Sequence, residues 1–118
     1  MRREYGKLIR DRIPAIIEAA GKRYEVRVLD EAAYREALAA KLVEEGQEVV
    51  AAIDSGTRQQ QVKELADVYE VLDALLAVTG ITSEEVAVVQ ASRREERGGF
   101  AEQLWLLWVD DESPTNPR

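Results

Sequence analysis

Apolar residues recur with the 3.6-residue period of an α-helix on both sides of Asp54-Ser55-Gly56. Before this break they form one stripe, which consists of Tyr34, Leu38, Leu42, Val49 and Ile53. After the break they form two faces, one with Val62, Leu65, Tyr69, Leu72 and Leu76 and one with Val68, Val71, Leu75 and Val78. A helix that is apolar on two sides is buried between layers, so we predict a central position or a subunit interface for the second helix. The short break predicts an antiparallel hairpin.

Capping and breaking residues predict where the helices begin and end. A short helix begins near Asp11, with Pro14 in its first turn, and ends at Gly21. Asp30 can cap the first long helix, and Thr57-Arg58-Gln59-Gln60 has the capping-box spacing that opens the second. Thr82-Ser83-Glu84-Glu85 has the same spacing and predicts a fourth helix, to about Glu96.

Two other segments have the pattern of strands. Residues 24–29 alternate in polarity, and residues 103–109 are an apolar run rich in Leu and Trp, so we predict that they pair. The predicted fold is therefore mostly α, an antiparallel bundle of four main helices with a small two-stranded β element. Without an internal linker, residues 1–112 are expected to form one domain and residues 113–118 a flexible tail.

Composition excludes several kinds of site and partner. The 118 residues include no cysteine and no histidine, so a bound metal must be held by oxygen. The net charge of −7 disfavours polymeric nucleic acid as a partner, although residues 1–27 carry eight Lys/Arg against four Asp/Glu. The sequence has neither a signal peptide nor a membrane-spanning stretch, so we expect a cytoplasmic protein.

Carboxylates on the apolar faces of the two long helices are the unusual feature. Glu45 lies inside the first stripe and Glu64 projects into the second face of the next helix, where an uncompensated charge is costly. Glu45 with Glu48, and Glu64 with Asp67, are i,i+3 pairs that each share a helix face. Facing one another, the two pairs would form a pocket of four oxygen ligands. Their repulsion leads us to expect a divalent cation between them, and Mg²⁺ suits such a site because it also binds substrate phosphates.

These acidic residues resemble a known motif pair. Glu44-Glu45-x-x-Glu48 followed by Glu64-x-x-Asp67 resembles the paired motif of the all-α nucleoside triphosphate pyrophosphohydrolases, which include MazG-type and dimeric dUTPase-type proteins. The stretches from Lys7 to Pro14 and from Arg97 to Phe100 resemble the phosphoribosyl-ATP pyrophosphohydrolase-like branch. The resemblance implies that Glu45, Glu48, Glu64 and Asp67 bind Mg²⁺, with Mn²⁺ as an alternative. It implies that Glu44 is an outer ligand or orients the attacking water, so that Glu44, Glu45 and Glu48 form the catalytic set.

The resemblance also implies an activity and a state of assembly. We expect hydrolysis of a nucleoside triphosphate to a monophosphate and pyrophosphate, with non-standard nucleotides as substrates, in a homodimer or homotetramer. Phosphoribosyl-ATP is an alternative substrate, and a non-catalytic acidic helical module is an alternative function. Four basic residues are candidates for binding substrate phosphates: Lys7, Arg10, Arg12 and Arg97. For the first three, surface ion pairing is the alternative. Trp105 and Trp108 are expected in a core or interface, or stacked on a base.

Overall fold

The computed structural model describes residues 1–110, which are mostly helical. Four helices follow one another in these residues: α1 (Ile13–Ala19), α2 (Glu31–Ser55), α3 (Arg58–Thr79) and α4 (Ser83–Arg97). The chain divides into two compact units, of which the first is Met1–Ser83 and the second begins at Glu84. Within the described part, no helix has both the length and the apolar character needed to cross a membrane.

The capping residues predicted from the sequence lie at the N-terminal ends of the long helices. The Asp30 side chain accepts a hydrogen bond of 2.8 Å from the backbone N–H of Ala33 and so caps α2. At the start of α3, Thr57 and Gln60 form a complete capping box, each side chain accepting from the backbone N–H of the other. Gly80 ends α3 with φ of +72°, a left-handed conformation that glycine adopts without strain. Local chemistry therefore determines where both long helices begin and where α3 ends.

The first unit is built on the antiparallel hairpin of α2 and α3, joined by the two residues Gly56 and Thr57. A side chain bonds to the backbone of the other helix at each end of the hairpin. Gln61 donates to the Ala52 carbonyl over 3.1 Å, and Arg35 donates to the Val78 carbonyl over 2.9 Å. Leu38, Ala52 and Val71 are the buried apolar residues. The face of α3 that contains Val71 is therefore the one that packs on α2, and it is the face into which Glu64 was predicted to project.

The other apolar face of α3 is open to solvent in the described chain. The exposed fractions of Val62, Leu65, Tyr69 and Leu72 run from 41% to 69%, whereas Leu76, the fifth residue of the predicted face, is half-buried. These residues are spaced by three and four positions alternately, as in the seam of a helix that packs along another helix. The hairpin thus covers one of the two predicted apolar faces of α3.

The predicted strand pair is wrong within residues 1–110. Residues 24–29 and 103–109 are neither strand nor helix there. Alternation and apolar character indicate which side chains favour burial, but they do not specify a pairing partner, and an isolated two-stranded ladder is marginally stable. Trp105 and Trp108 are 85% and 76% exposed. The predicted tail, residues 113–118, lies outside the described residues.

Candidate active site

Three carboxylates converge between the two long helices. Glu45 of α2 and Glu64 and Asp67 of α3 each offer an oxygen atom, and these oxygens all lie within 4.8 Å of one another. Their side chains are only 12%, 15% and 25% exposed. Helical spacing places Glu64 and Asp67 on the same side of α3, and the antiparallel packing brings Glu45 opposite them. Three of the four predicted metal ligands therefore lie together, although their role as ligands stays a prediction.

The spacing of these oxygens suits a hard cation. Oxygens on opposite sides of a bound Mg²⁺ are about 4.2 Å apart. The 4.8 Å limit of the cluster is close to that separation, so these residues would be able to hold one such cation. Because all three donors are carboxylate oxygens, the donor set fits Mg²⁺ or Mn²⁺ and does not fit a soft metal.

Glu48, the fourth predicted ligand, lies beside this cluster. It is exposed, and it lines a cleft of about 280 Å³ that opens next to the cluster. Glu64 belongs both to the cluster and to the wall of the cleft, so the two are contiguous. The other lining residues are Ala51, Ala52, Ser55, Gly56 and Gln60. A ligand held at the carboxylates therefore has room to extend toward the α2–α3 turn.

Basic side chains pair with all three carboxylates. The Arg10 Nη2 atom lies 2.7 Å from Asp67 Oδ1, and Lys63 Nζ lies 3.4 Å from Asp67 Oδ2 and 3.2 Å from Glu64 Oε1. Lys41 Nζ lies 3.7 Å from Glu45 Oε1. The hydrogen bond and charge of Glu64, followed by those of Asp67, raise the pKa of Lys63 above its ordinary value of 10.5. These three side-chain cations offset part of the repulsion among the carboxylates, and the expected divalent cation stays a prediction.

Glu44 faces two lysines at the edge of the cluster. Its carboxylate lies 3.4 Å from Lys41 and 3.8 Å from Lys7, and it is not one of the three converging carboxylates. Lys7 also lies 5.9 Å from the centre of the Tyr5 ring, at cation–π distance. Lys7 thus connects the non-helical N-terminal segment to Glu44, and Arg10 connects it to Asp67 of the cluster. Both residues form ion pairs here, and their predicted contacts with substrate phosphates stay a prediction.

Within the described residues, the other two predicted phosphate-binding residues form no ion pair with the carboxylates of the cluster. Arg12 is exposed and precedes α1 as its N-cap residue. Arg97 is the exposed last residue of α4 and belongs to the second unit. Gly98 follows it with φ of +79°, a left-handed conformation that glycine adopts without strain. The substrate-binding roles of Arg12 and Arg97 stay predictions.

Sequence reasoning missed Lys41 and Lys63, both of which pair with the cluster. A signal was available, since Lys41 precedes Glu45, and Lys63 precedes Asp67, by four residues on a helix. It is a weak signal, because the same spacing is common on solvated helix faces, where such pairs contribute little.

A comparison with protein families identifies the kind of protein. A model of the phosphoribosyl-ATP pyrophosphohydrolase family matches residues 3–93. The chain belongs to this family. The match includes the N-terminal basic segment and the whole α2–α3 hairpin with its carboxylates, and it ends before Arg97. No curated protein and no solved structure matches the chain. The protein is therefore a pyrophosphohydrolase of the all-α MazG-like superfamily, a hydrolase that acts on phosphoric anhydride bonds.

Proposed function

We propose that this pyrophosphohydrolase is Mg²⁺-dependent and converts a nucleoside triphosphate and water to a nucleoside monophosphate and pyrophosphate. The observation that carries the proposal is the convergence of Glu45, Glu64 and Asp67 within 4.8 Å, on the packed side of a hairpin that the family model covers. Apolar residues often pack a hairpin at least as stably as a largely buried group of paired charges, so the three carboxylates favour a functional role. They provide the hard oxygen donors that a phosphate-binding divalent cation requires.

The chain's own residues divide the work of the reaction. Glu45, Glu64 and Asp67 would hold Mg²⁺, and Glu48 would complete the ligand set from the rim of the cleft. When bound, the ion supplies charge that polarises the phosphoryl group and stabilises the departing pyrophosphate. Arg10, which now binds Asp67, would donate its hydrogen bonds to a substrate phosphate once the carboxylate is engaged elsewhere. Lys7, Arg12 and Arg97 are the remaining candidates for phosphate contacts.

Glu44 is the residue proposed to orient the attacking water. It is half-exposed and lies next to the cluster in sequence, with lysines on two sides. The water oxygen forms a bond to phosphorus, the bridging P–O bond breaks, and pyrophosphate leaves with the electron pair. Glu44 would accept the proton that the water loses. This assignment requires only groups that the chain contains, and it needs no covalent nucleophile.

Non-standard nucleotides are the proposed substrates, because the N-terminal stretch from Lys7 to Asp11 resembles the branch that is expected to hydrolyse them. Phosphoribosyl-ATP is the second candidate, and the description of the matching family favours it. The two candidates differ only in what is attached to the same triphosphate, so the carboxylate chemistry is common to both.

Pyrophosphate release from a panel of nucleotides tests the function directly. The panel contains standard nucleoside triphosphates, damaged ones and phosphoribosyl-ATP, each with Mg²⁺ and with a chelator. We expect Glu48→Gln and Asp67→Asn to abolish pyrophosphate release, while Glu70→Gln, an exposed position on α3 outside the cluster, retains it. Full activity in both site variants, or equal activity with the chelator, would show that the assignment is wrong.

We further propose that the open apolar face of α3 binds a second copy of the chain. This surface, formed by Val62, Leu65, Tyr69 and Leu72, has the seam spacing of a helix that packs on another helix. Contiguous exposed apolar surface of this kind marks an interface in a stable protein. Light scattering on the full chain tests the proposal, and a monomeric mass at all concentrations would refute it.

A further inference from the structure

The cleft beside the carboxylate cluster has a lining that selects the kind of group it can bind. Its walls are small residues at the end of α2 together with Gln60 and two glutamates, and no aromatic side chain of residues 1–110 lines it. Its volume is about 280 Å³, below the range of pockets that enclose a whole drug-sized ligand. A cleft of this size and polarity suits a small hydroxylated group better than a flat apolar ring.

The capping box fixes the Gln60 amide in the wall of this cleft. Its Oε1 atom accepts a hydrogen bond of 2.8 Å from the backbone N–H of Thr57. Because that donor requires an oxygen, the orientation of the amide is determined, and the Nε2 group is left with its hydrogens. Within residues 1–110, Nε2 has no hydrogen-bond partner. Gln60 therefore brings a pre-positioned donor to a site that otherwise contains acceptors.

Ser55 provides an acceptor on another part of the same wall. Its hydroxyl donates to the Ala51 carbonyl over 3.3 Å, which uses its hydrogen and leaves its oxygen lone pairs. A donor from Gln60 and an acceptor from Ser55 complement a hydroxylated sugar, because each sugar hydroxyl can both accept and donate.

We propose that this cleft is the sugar subsite of the enzyme, in which the Gln60 amide donates to the 2′-hydroxyl oxygen of a ribonucleotide. The inference rests on the proposed function, since the phosphates must lie at the carboxylate cluster for the sugar to reach the cleft. Glu64 lies in both places and is four residues from Gln60, one helical turn away. The ribose of a nucleotide whose α-phosphate lay at the carboxylates would therefore lie next to this cleft. The enzyme is therefore selective for ribonucleotides over 2′-deoxyribonucleotides, and Gln60 is a specificity-determining residue.

Binding of nucleoside monophosphates, the products, tests the subsite separately from turnover. Calorimetric titration of the full chain with Mg²⁺ would compare AMP, GMP, CMP and UMP with their 2′-deoxy counterparts. We expect the wild type to bind the ribonucleotide of at least one pair about fivefold more tightly, the size of one hydrogen bond. Gln60→Ala removes the donor and should abolish this ratio. Gln59→Ala, in the same helical turn but outside the cleft, should retain it.

A second variant guards against loss of the helix cap. Gln60→Glu keeps a carboxylate oxygen for the Thr57 N–H but cannot donate, so the melting temperature should hold while affinity for the ribonucleotide falls. Equal wild-type affinities within all four pairs, or an unchanged ratio in Gln60→Ala, would overturn the subsite. Absence of pyrophosphate release from every nucleoside triphosphate, with the binding ratio intact, would instead overturn the proposed reaction and leave the subsite standing.

Discussion

Replacing Glu64 with glutamine separates the two roles of the acidic cluster, in the fold and in cation binding. Glu64 is 15% exposed, and its oxygen lies within 4.8 Å of oxygens of both Glu45 and Asp67. Glutamine has nearly the same shape and keeps an oxygen that can accept from Lys63. The substitution therefore removes one negative charge while it leaves the packing of the hairpin unchanged.

The distances set the size of the expected effect on the cation-free protein. Two unit charges 4.8 Å apart repel by about 3.5 kcal/mol at an effective dielectric constant of about 20. Glu64 takes part in two such repulsions, but its pairing with Lys63 and the pairing of Asp67 with Arg10 offset most of them. We therefore expect the free energy of unfolding of Glu64→Gln, with a chelator present, to lie within about 1 kcal/mol of the wild type, on the more stable side.

Mg²⁺ should stabilise the wild type much more than it stabilises Glu64→Gln. An ion that binds only the folded state, at about 100 times its Kd, stabilises the wild type by about 2.7 kcal/mol. In a domain of this size that is about 10 °C in melting temperature. Glu64→Gln should lose most of this rise, whereas Glu70→Gln, exposed on the same helix, should keep it. Melting curves with chelator and with excess Mg²⁺ give both quantities, and an undiminished Mg²⁺ shift in Glu64→Gln would refute the proposed cation site.

Three further predictions concern the pH dependence, the helix ends and the assembly. A raised pKa for Lys63 means that its ion pairs stabilise the fold below pH 10.5 and cease to do so as the pH rises through the higher folded-state value. The difference in free energy of unfolding between wild type and Lys63→Met should therefore shrink across that range in chelator, and a constant difference would contradict the pairing. Gly80→Ala should lower the free energy of unfolding by about 1 kcal/mol, because Gly80 has φ of +72°. Gly46→Ala should raise it by up to about 1 kcal/mol, because Gly46 is helical and has open space around an added Cβ. Thermal melts that reverse this order would contradict the capping geometry. Leu72→Lys should give a lower mass in light scattering, while its exposed neighbour Asp73→Lys should not, and equal masses would argue against the α3 interface.

The helical part of the fold was predictable because its signals are local. Asp30, the Thr57–Gln60 box and Gly80 each determine a helix end through bonds to residues only a few positions away. The predicted faces of α3 also allowed the packed side of the hairpin to be anticipated. The strands failed for the converse reason, since a strand exists only with a partner and neither 24–29 nor 103–109 specifies one.

The carboxylates of the candidate site were predictable, and the pairing of Arg10 with Asp67 was not. Glu45 and Glu64 are conspicuous because they interrupt apolar periodicity. Arg10 is 57 residues from Asp67 in the sequence, and no periodicity connects a non-helical segment to a helix face. The contact is a tertiary one, so it required the structure.

The pairing of Arg10 with Asp67 bears on how a cation and a substrate would bind together. In the described chain both oxygens of Asp67 are engaged, Oδ1 by Arg10 and Oδ2 by Lys63. A divalent cation bound by Asp67 would compete with both side chains, and this competition lowers its intrinsic affinity. An Arg10 guanidinium released in this way becomes available for a phosphate, a partner that offers it two acceptor oxygens. Substrate phosphate would therefore favour cation binding, and the cation would favour substrate binding by the same factor. The ion pairs that stabilise the acidic cluster are therefore also what would make its cation affinity depend on the nucleotide.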